Sequence, residues 1–542
     1  MNLNTQFVFE NKTKRLLIGG MALGVVCLLY IFMTDDEYHT RFWTSWLHNS
    51  VFFSGIAFMS MFFLSAQITA FAGWNSVVNR VWQAMSQFMW VGIILMAVIV
   101  LGVWGHFHHL YHWNTPGITD PENPIYDKVI AGKSGFLNPV WYTIGTVGFL
   151  ALWYYWARSL RNASLAQDEH ETEGFKYYKI QRKWAASFLP IGGFLSTVFL
   201  WQSVMSVDPH WYSTMFAWYS MISVWIGSLG LTVMLIIYLK SLGYLEYVNQ
   251  NHIHDIGKFI FGISVFWTYL WFDQFMLIWY ANNGEETIYF NQRMTHYPVL
   301  FWGNLLMNFV APFLILMRND TKRKFGTMFF VALIVFFGHW WDYFYMIKPG
   351  ARIAAHEAKE IAEGKHGGHE KHETHISEAD HHSIGEEHAS EAEHAVGGHE
   401  TESAEEMTDD HGTEAAEMNH EENHNETEGV TDNTESHEPS EIGEEMEAEA
   451  DHATAEAAVE HHDEHGEGHH GHEPFGFKMG FTVPGIEDIG VLIGFLSLFL
   501  YFFFGVLGRA SLVPMKDPYL EESLHHDTGA LVEGEEGGDS HH

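Results

Sequence analysis

Asp273, His339 and Asp342 lie inside long apolar runs, where an ionisable side chain is costly to keep and is therefore a candidate for chemistry. His339 and Asp342 are three residues apart, which places them on one face of a helix. Asp208 and His210 close another run, in the string Trp201-Gln202-Ser203-Val204-Met205-Ser206-Val207-Asp208-Pro209-His210-Trp211. His106 closes a further run and is followed by His108, His109 and His112. Imidazoles titrate near neutral pH and burial drives carboxylates up towards it, so the set reads as a proton-transfer layer. Plainer readings stand beside it. Asp208 can cap the segment that starts at Trp211. His106 can be a solvated residue at a helix end, and His339 with Asp342 can be a structural hydrogen-bonded pair. Asp273 is harder to dismiss, because a lone carboxylate at that depth needs a partner or a proton.

Two polar sets remain. Gln67, Gln83 and Gln87 lie towards the opposite ends of their runs and could continue a hydrated path without titrating. That inner half is expected to be nearly free of charge. Residues 351–473 hold 21 His and almost no large apolar side chains, so they are expected to be disordered. His366, His369, His372 and His375 recur every three residues there. Neutral imidazoles bind zinc, copper or nickel, so the segment is either a loose metal or proton buffer or a solvated spacer.

The elements that must position these residues are apolar runs at about 16–33, 48–72, 83–106, 138–158, 185–206, 213–239, 257–281, 298–317, 325–347 and 487–508. Each is long enough to cross a bilayer and lacks the alternation of a barrel strand, so the fold class is an all-α integral membrane protein with about ten transmembrane helices. No small-x-small cleavage site follows the first run, which reads as an uncleaved helix. The fourth run opens Pro139-Val140 and the eighth Pro298-Val299, and Arg182-Lys183 enters the fifth as Arg323-Lys324 enters the ninth. Helices two to five therefore read as a parallel repeat of helices six to nine, two four-helix bundles flanked by helices one and ten.

The 542 residues carry a formal charge of -39, but residues 351–473 hold 38 Asp/Glu against 4 Lys/Arg, and the tail 516–542 holds 8 against 1. The chain thus divides into a membrane domain (1–350), an acidic His-rich insert (351–473), a segment bearing the tenth helix (474–515) and an acidic tail (516–542). With no basic stripe to neutralise phosphates, a nucleic-acid partner is excluded; the lipid bilayer is the expected surround. If the N-terminus is cytoplasmic, 18 Lys/Arg fall in cytoplasmic segments and 4 in the short loops opposite. That bias puts both termini in the cytoplasm and the insert in the periplasm. The single cysteine, Cys27, excludes an internal disulfide, a Cys-ligated iron–sulfur cluster and CxxCH haem attachment. Only His339 lies well inside a run, so a b-type haem with two buried axial histidines is not expected either.

The ten helices, the two bundles and the Trp201–Trp211 string with Asp208-Pro209-His210 resemble the NrfD-like membrane subunits (polysulfide reductase NrfD family). Within that family they are most similar to the ActF-type subunits of bacterial alternative complex III, a quinol:cytochrome c or quinol:oxidase oxidoreductase. The resemblance covers residues 1–350 and 474–515. It implies a respiratory complex of the bacterial inner membrane whose iron–sulfur clusters and c-type haems sit in other subunits, beside a sister NrfD-like subunit. It further implies a menaquinone or other quinone in the complex, with this chain contributing to quinol-site architecture, assembly and proton transfer. Asp208, His210, Asp273, His339, Asp342 and His106 are then the proton-transfer or quinone-proximal candidates. A purely structural anchor of such a complex is the alternative. A stand-alone transporter with a metal-collecting loop is poorer, because the repeat is parallel and Pro190 in the fifth helix has no counterpart in the ninth.

Overall fold

The computed structural model describes residues 5–35, 37–170, 175–362 and 483–528. The chain divides into a helical body and a second unit spanning residues 372–470, which lies outside the described residues. So do His366, His369, His372 and His375, most of the expected insert, and the tail beyond residue 528.

Among the described residues the protein is all-α, and nine helices are long and apolar enough to cross a membrane. We label the spans α1 (Asn11–Thr34), α2 (Thr40–Thr69), α3 (Ser76–Gly105), α5 (Lys176–Val207), α6 (Thr214–Ser241), α7 (Gln250–Ala281), α8 (Pro298–Leu316), α9 (Phe325–Arg352) and α10 (Ile486–Leu507). The fourth expected span, α4, is helical over residues 139–169 but is not among the nine. Trp153, Tyr154, Tyr155, Trp156, Arg158 and Arg161 make its second half amphipathic rather than uniformly apolar. Sequence fixes its start, because Asn138 accepts a hydrogen bond from the Trp141 amide and Pro139 occupies the first turn.

Most of α2, α6 and α9 is buried, whereas only about a third or less of α1, α7 and α8 is. The centre is thus three helices whose apolar residues leave no solvent-type face. α2 packs on α3, α5, α6 and α9, and α6 packs on α7 and α9. Both α4 and α8 carry one π turn, at Ile144–Gly148 and Leu306–Val310. α1 and α10 pair through glycine. A Cβ on Gly24 would lie 2.5 Å from the Gly494 Cα, and one on Gly490 would strike the Cys27 sulfur. Backbones that close gain dispersion contacts lipid cannot supply. The two ends of the body meet on one side, which we call the terminal side: Leu512 donates its amide to Thr5 O at 2.9 Å beside a bridge between Gln6 and Ser511.

The first part of the acidic tail is packed rather than solvated. Ser523 accepts from the Val77 amide at 3.2 Å and donates to Trp74 O at 2.6 Å. Further along, His526 meets Asp255 at 2.8 Å and Thr528 accepts from Arg323 at 2.5 Å. The tail segment therefore crosses the terminal ends of α3, α7 and the α8–α9 connection.

Candidate functional site

Asp342 and His339 are fully buried on α9. Asp342 Oδ1 accepts from the Tyr219 hydroxyl and from Asn304 Nδ2 at 2.8 Å. Its Oδ2 accepts from Ser223 Oγ at 2.7 Å and from Trp267 Nε1 at 3.0 Å. Four neutral donors from α6, α7 and α8 thus converge on one carboxylate, two per oxygen. No cation forms an ion pair with it among the described residues. Ser223 has one hydroxyl proton and gives it to Asp342, so the 3.0 Å contact with His339 Nδ1 assigns the proton of that bond to the imidazole. That tautomer leaves His339 Nε2 as an acceptor, and it is buried without a partner. Asn304 Oδ1 and Asn308 Oδ1 are buried acceptors in the same condition.

Local structure explains how these groups converge. Tyr219 and Ser223 are four apart on α6, and Asn304 and Asn308 are four apart on α8, so each pair shares a face. The π turn of α8 begins between the two Asn residues, the kind of irregularity that re-aims side chains at sites. Gly338 makes room for Asn308, whose Nδ2 donates to the Gly338 carbonyl at 3.0 Å; a Cβ there would lie 2.2 Å from Asn308 Oδ1. α2 extends the layer. His48 Nε2 donates to the Trp340 carbonyl at 2.9 Å, and Trp340 Nε1 donates to Asn49 Oδ1 at 3.0 Å. None of Tyr219, Ser223, Trp267, Asn304 or His48 stood out in the sequence. The signal was there in the four-residue spacing of polar groups within apolar runs.

The other expected residues do not join this group. Asp208 and His210 belong to a second cluster at the side opposite the termini. His210 Nε2 meets Asp127 Oδ2 at 2.7 Å, and Arg293 Nη1 lies 3.9 Å from Asp208. Arg293, fully buried, also stacks its guanidinium 3.3 Å from the Tyr289 ring centroid. Lys133 Nζ donates to Pro209 O at 2.6 Å. Asp127 caps its short helix through the Val129 and Ile130 amides. Burial acts to raise its carboxyl, but the His210 hydrogen bond and the two amides outweigh that and hold it below the usual carboxylate range. Burial pushes the Lys133 ammonium down, against the pull of Asp208 and Asp127. Beside this cluster lies a cavity of about 290 Å³ lined by Lys133, Phe136, Trp201, Met205, Trp211 and Tyr212. The indole N–H groups of Trp201 and Trp211 have no partner among the described residues.

His106 is exposed and adopts a left-handed conformation as the C-cap of α3, with only a 3.3 Å contact to Asn114. Asp273 is partly exposed on α7 and makes no hydrogen bond or ion pair among the described residues. The single layer expected from sequence is thus four separate environments.

The inner half also differs from expectation. Gln67 accepts from Trp74 Nε1 at 3.2 Å, and Gln87 reaches only Ser86 at 3.4 Å. Gln83, however, joins a charged network: it accepts from Arg80 at 2.8 Å and donates to Ser164 at 3.0 Å, and Arg80 meets Asp168 at 2.5 Å. Arg80, expected in a loop, is buried in the first turns of α3 because Asp168 at the end of α4 meets it there. Asp517 of the tail accepts from Ser76 at 3.1 Å, and burial raises its carboxyl.

Comparison with protein-family models gives no match, and comparison with curated proteins gives none either.

Proposed function

We propose that this chain is an integral membrane subunit of a respiratory quinol:cytochrome c, or quinol:oxidase, oxidoreductase complex, similar to the NrfD-like subunits. On this reading it lies in a bacterial inner membrane with the terminal side cytoplasmic and the segment between α9 and α10 periplasmic, as the Lys/Arg bias favours. Its partners are a sister NrfD-like subunit, an iron–sulfur subunit and c-type cytochrome subunits, which hold the redox centres. Quinol oxidation releases two protons for every two electrons, so acceptors and an exit path are what the reaction asks of a neighbouring membrane subunit.

The observation that carries the proposal is Asp342, a buried carboxylate in a spanning helix held by four neutral donors, with His339 sharing the Ser223 hydroxyl. Ionisable residues so placed mark proton paths more often than packing. The orphan acceptors His339 Nε2, Asn304 Oδ1 and Asn308 Oδ1 support it, because water bridging such groups is the usual way buried acceptors are satisfied and protons are relayed. Near the opposite end, the cavity beside Asp208 and His210 is close to the lower end of the ligand-pocket range, about 300–1,000 Å³. Its aromatic walls and the Lys133 ammonium suit a flat ring bearing acceptor oxygens, such as a quinone head group. A bound quinol would supply the electrons and the protons; this chain's Asp208 and His210 would orient it and accept protons, and Asp127 would hold the His210 ring.

The purely structural reading rests on one observation. Every acceptor position of Asp342 is filled, as in a specificity-giving buried network. The two readings separate in the purified complex carrying Asp342→Asn or His339→Ala. The proposal expects assembled complex with quinol turnover or proton release reduced at least tenfold. Full turnover and proton release in both variants would leave only the anchor.

A further inference from the structure

Asp273 lies in the middle of an outward stripe on α7. Phe266 and Tyr269 before it and Met276, Leu277 and Tyr280 after it keep three- and four-residue spacing and are all exposed, Tyr280 at 84%. The carboxylate itself is partly exposed and has no partner among the described residues.

No placement of the bilayer satisfies this stripe. Lys258, exposed on the same helix and ion-paired with Asp255 at 2.7 Å, marks its terminal end. Asp273 is fifteen residues further on, about 22 Å at 1.5 Å per residue. A hydrocarbon layer about 30 Å thick that starts at Lys258 therefore runs about 8 Å past Asp273 and leaves a charge facing lipid. Shifting the layer so that Asp273 reaches the boundary places Asp255 and Lys258 in hydrocarbon. It also sets the exposed Leu277, Trp279 and Tyr280 about 6–10 Å beyond the hydrocarbon. Either way the α7 face is unstable as an outer surface.

We infer that the Asp273 face of α7 is a docking surface for a transmembrane helix of a different polypeptide that presents a Lys or Arg side chain at the depth of Asp273. An apolar helix covers the stripe, and a cation against Asp273 removes the cost of the buried charge. The other occupants fit less well. A second copy of this chain, docked symmetrically, brings a second Asp273 and no cation at that level, since the stripe contains none between Lys258 and Tyr280. Residues 363–482 of this chain contain no apolar run of spanning length. Lipid leaves the charge unpaired. The inference does not depend on what reaction the assembly performs.

The test uses the full chain in its native membranes, with a photoreactive benzophenone amino acid replacing Tyr269 or Leu277 and, as a control on another exposed face, Phe194. Both α7 positions should form an adduct with the same foreign polypeptide, mapped to a spanning segment with a Lys or Arg within one helical turn; the control should not. Asp273→Arg should reduce that adduct at least tenfold, and exchanging the partner's cation for Asp should restore it. Adducts with lipid alone, or with a second copy of this chain, overturn the inference. So does a mapped partner segment without a cation, or an adduct indifferent to Asp273→Arg. If the Arg variant fails to accumulate, the adduct mapped with Asp273 intact decides by the presence or absence of that cation.

Discussion

Replacing Asp342 by Asn separates the charge of the carboxylate from its shape. An amide has one oxygen and one NH2 where the carboxylate has two acceptors. With the oxygen turned towards Ser223 and Trp267, both of those bonds survive. The NH2 then faces the Tyr219 hydroxyl, which can rotate to accept, and Asn304, whose orphan Oδ1 accepts once its own amide flips. The opposite orientation sets NH2 against the Trp267 N–H, which has no lone pair to offer. In that orientation every polar atom of the new amide is paired, and the expected cost is that of turning the Tyr219 and Asn304 donors away from it, about 1–3 kcal/mol. Asp342→Leu instead strands four buried donors at about 1–3 kcal/mol each, so about 4–12 kcal/mol, comparable with the whole stability of a typical protein. Thermal stability of the detergent-solubilised complex, read by size-exclusion recovery after heating, should show Asp342→Asn near wild type and Asp342→Leu lost. Quinol turnover and proton release on the recovered Asn variant then report on the charge alone. Loss of the Asn variant as complete as that of the Leu variant would refute the donor geometry. Undiminished proton release would remove the carboxylate from the mechanism.

Three further outcomes follow from other parts of the molecule. Arg80→Met should destabilise the terminal side by about 1–3 kcal/mol, because the half-buried Asp168 loses its cation, and adding Asp168→Met should recover most of the loss; a double-mutant cycle on thermal stability measures this. Gly24→Leu should weaken the α1–α10 pair by about 1–3 kcal/mol, since a Cβ there meets the Gly494 backbone, and Gly19→Leu, with open space at its Cβ, should be neutral by the same melting assay. Asp127→Asn should lower the melting temperature at neutral pH. The native carboxyl is held below its ordinary value, so its contribution is complete above about pH 4 and disappears as pH falls through the depressed native value. The wild-type advantage should be level from pH 8 to 5 and shrink only in more acid solution; a loss between pH 7 and 5 would contradict the assignment.

The spans were legible because apolarity over twenty residues is a one-dimensional property, and lipid leaves the backbone no alternative to a helix. α4 shows where that reading stops. Its Trp, Tyr and Arg residues make it a weak apolar run, and it packs on α3 and α5 and buries Leu150, Trp153, Ala157 and Leu160, contacts no run length reveals. The glycines of α1 and α10 carried a readable four-residue spacing at Gly20 with Gly24 and Gly490 with Gly494, but which helix met which required the fold. The packing of the tail was not legible for a related reason. Its net charge says nothing of partners, yet Ser523, His526 and Thr528 are held by complementary groups on α3, α7 and the α8–α9 connection.

The site was half legible, and the missing half is informative. A search confined to ionisable residues finds Asp342 and His339 but treats Asp273 as their equal. What distinguishes them is the rotation of each helix about its axis. Asp342 faces α6, α7 and α8, so neutral side chains with N–H and O–H groups can surround it. Asp273 is turned outward among Tyr269, Met276 and Leu277. The identity of a charge in a membrane helix therefore says that a compensating group must exist, and the direction of its face says whose. For Asp342 that group lies within this chain, as four donors that can hold a charge or let it be discharged. For Asp273 no group in the described chain can supply it, so the same energetic rule that makes Asp342 a candidate for proton chemistry makes Asp273 a candidate for assembly.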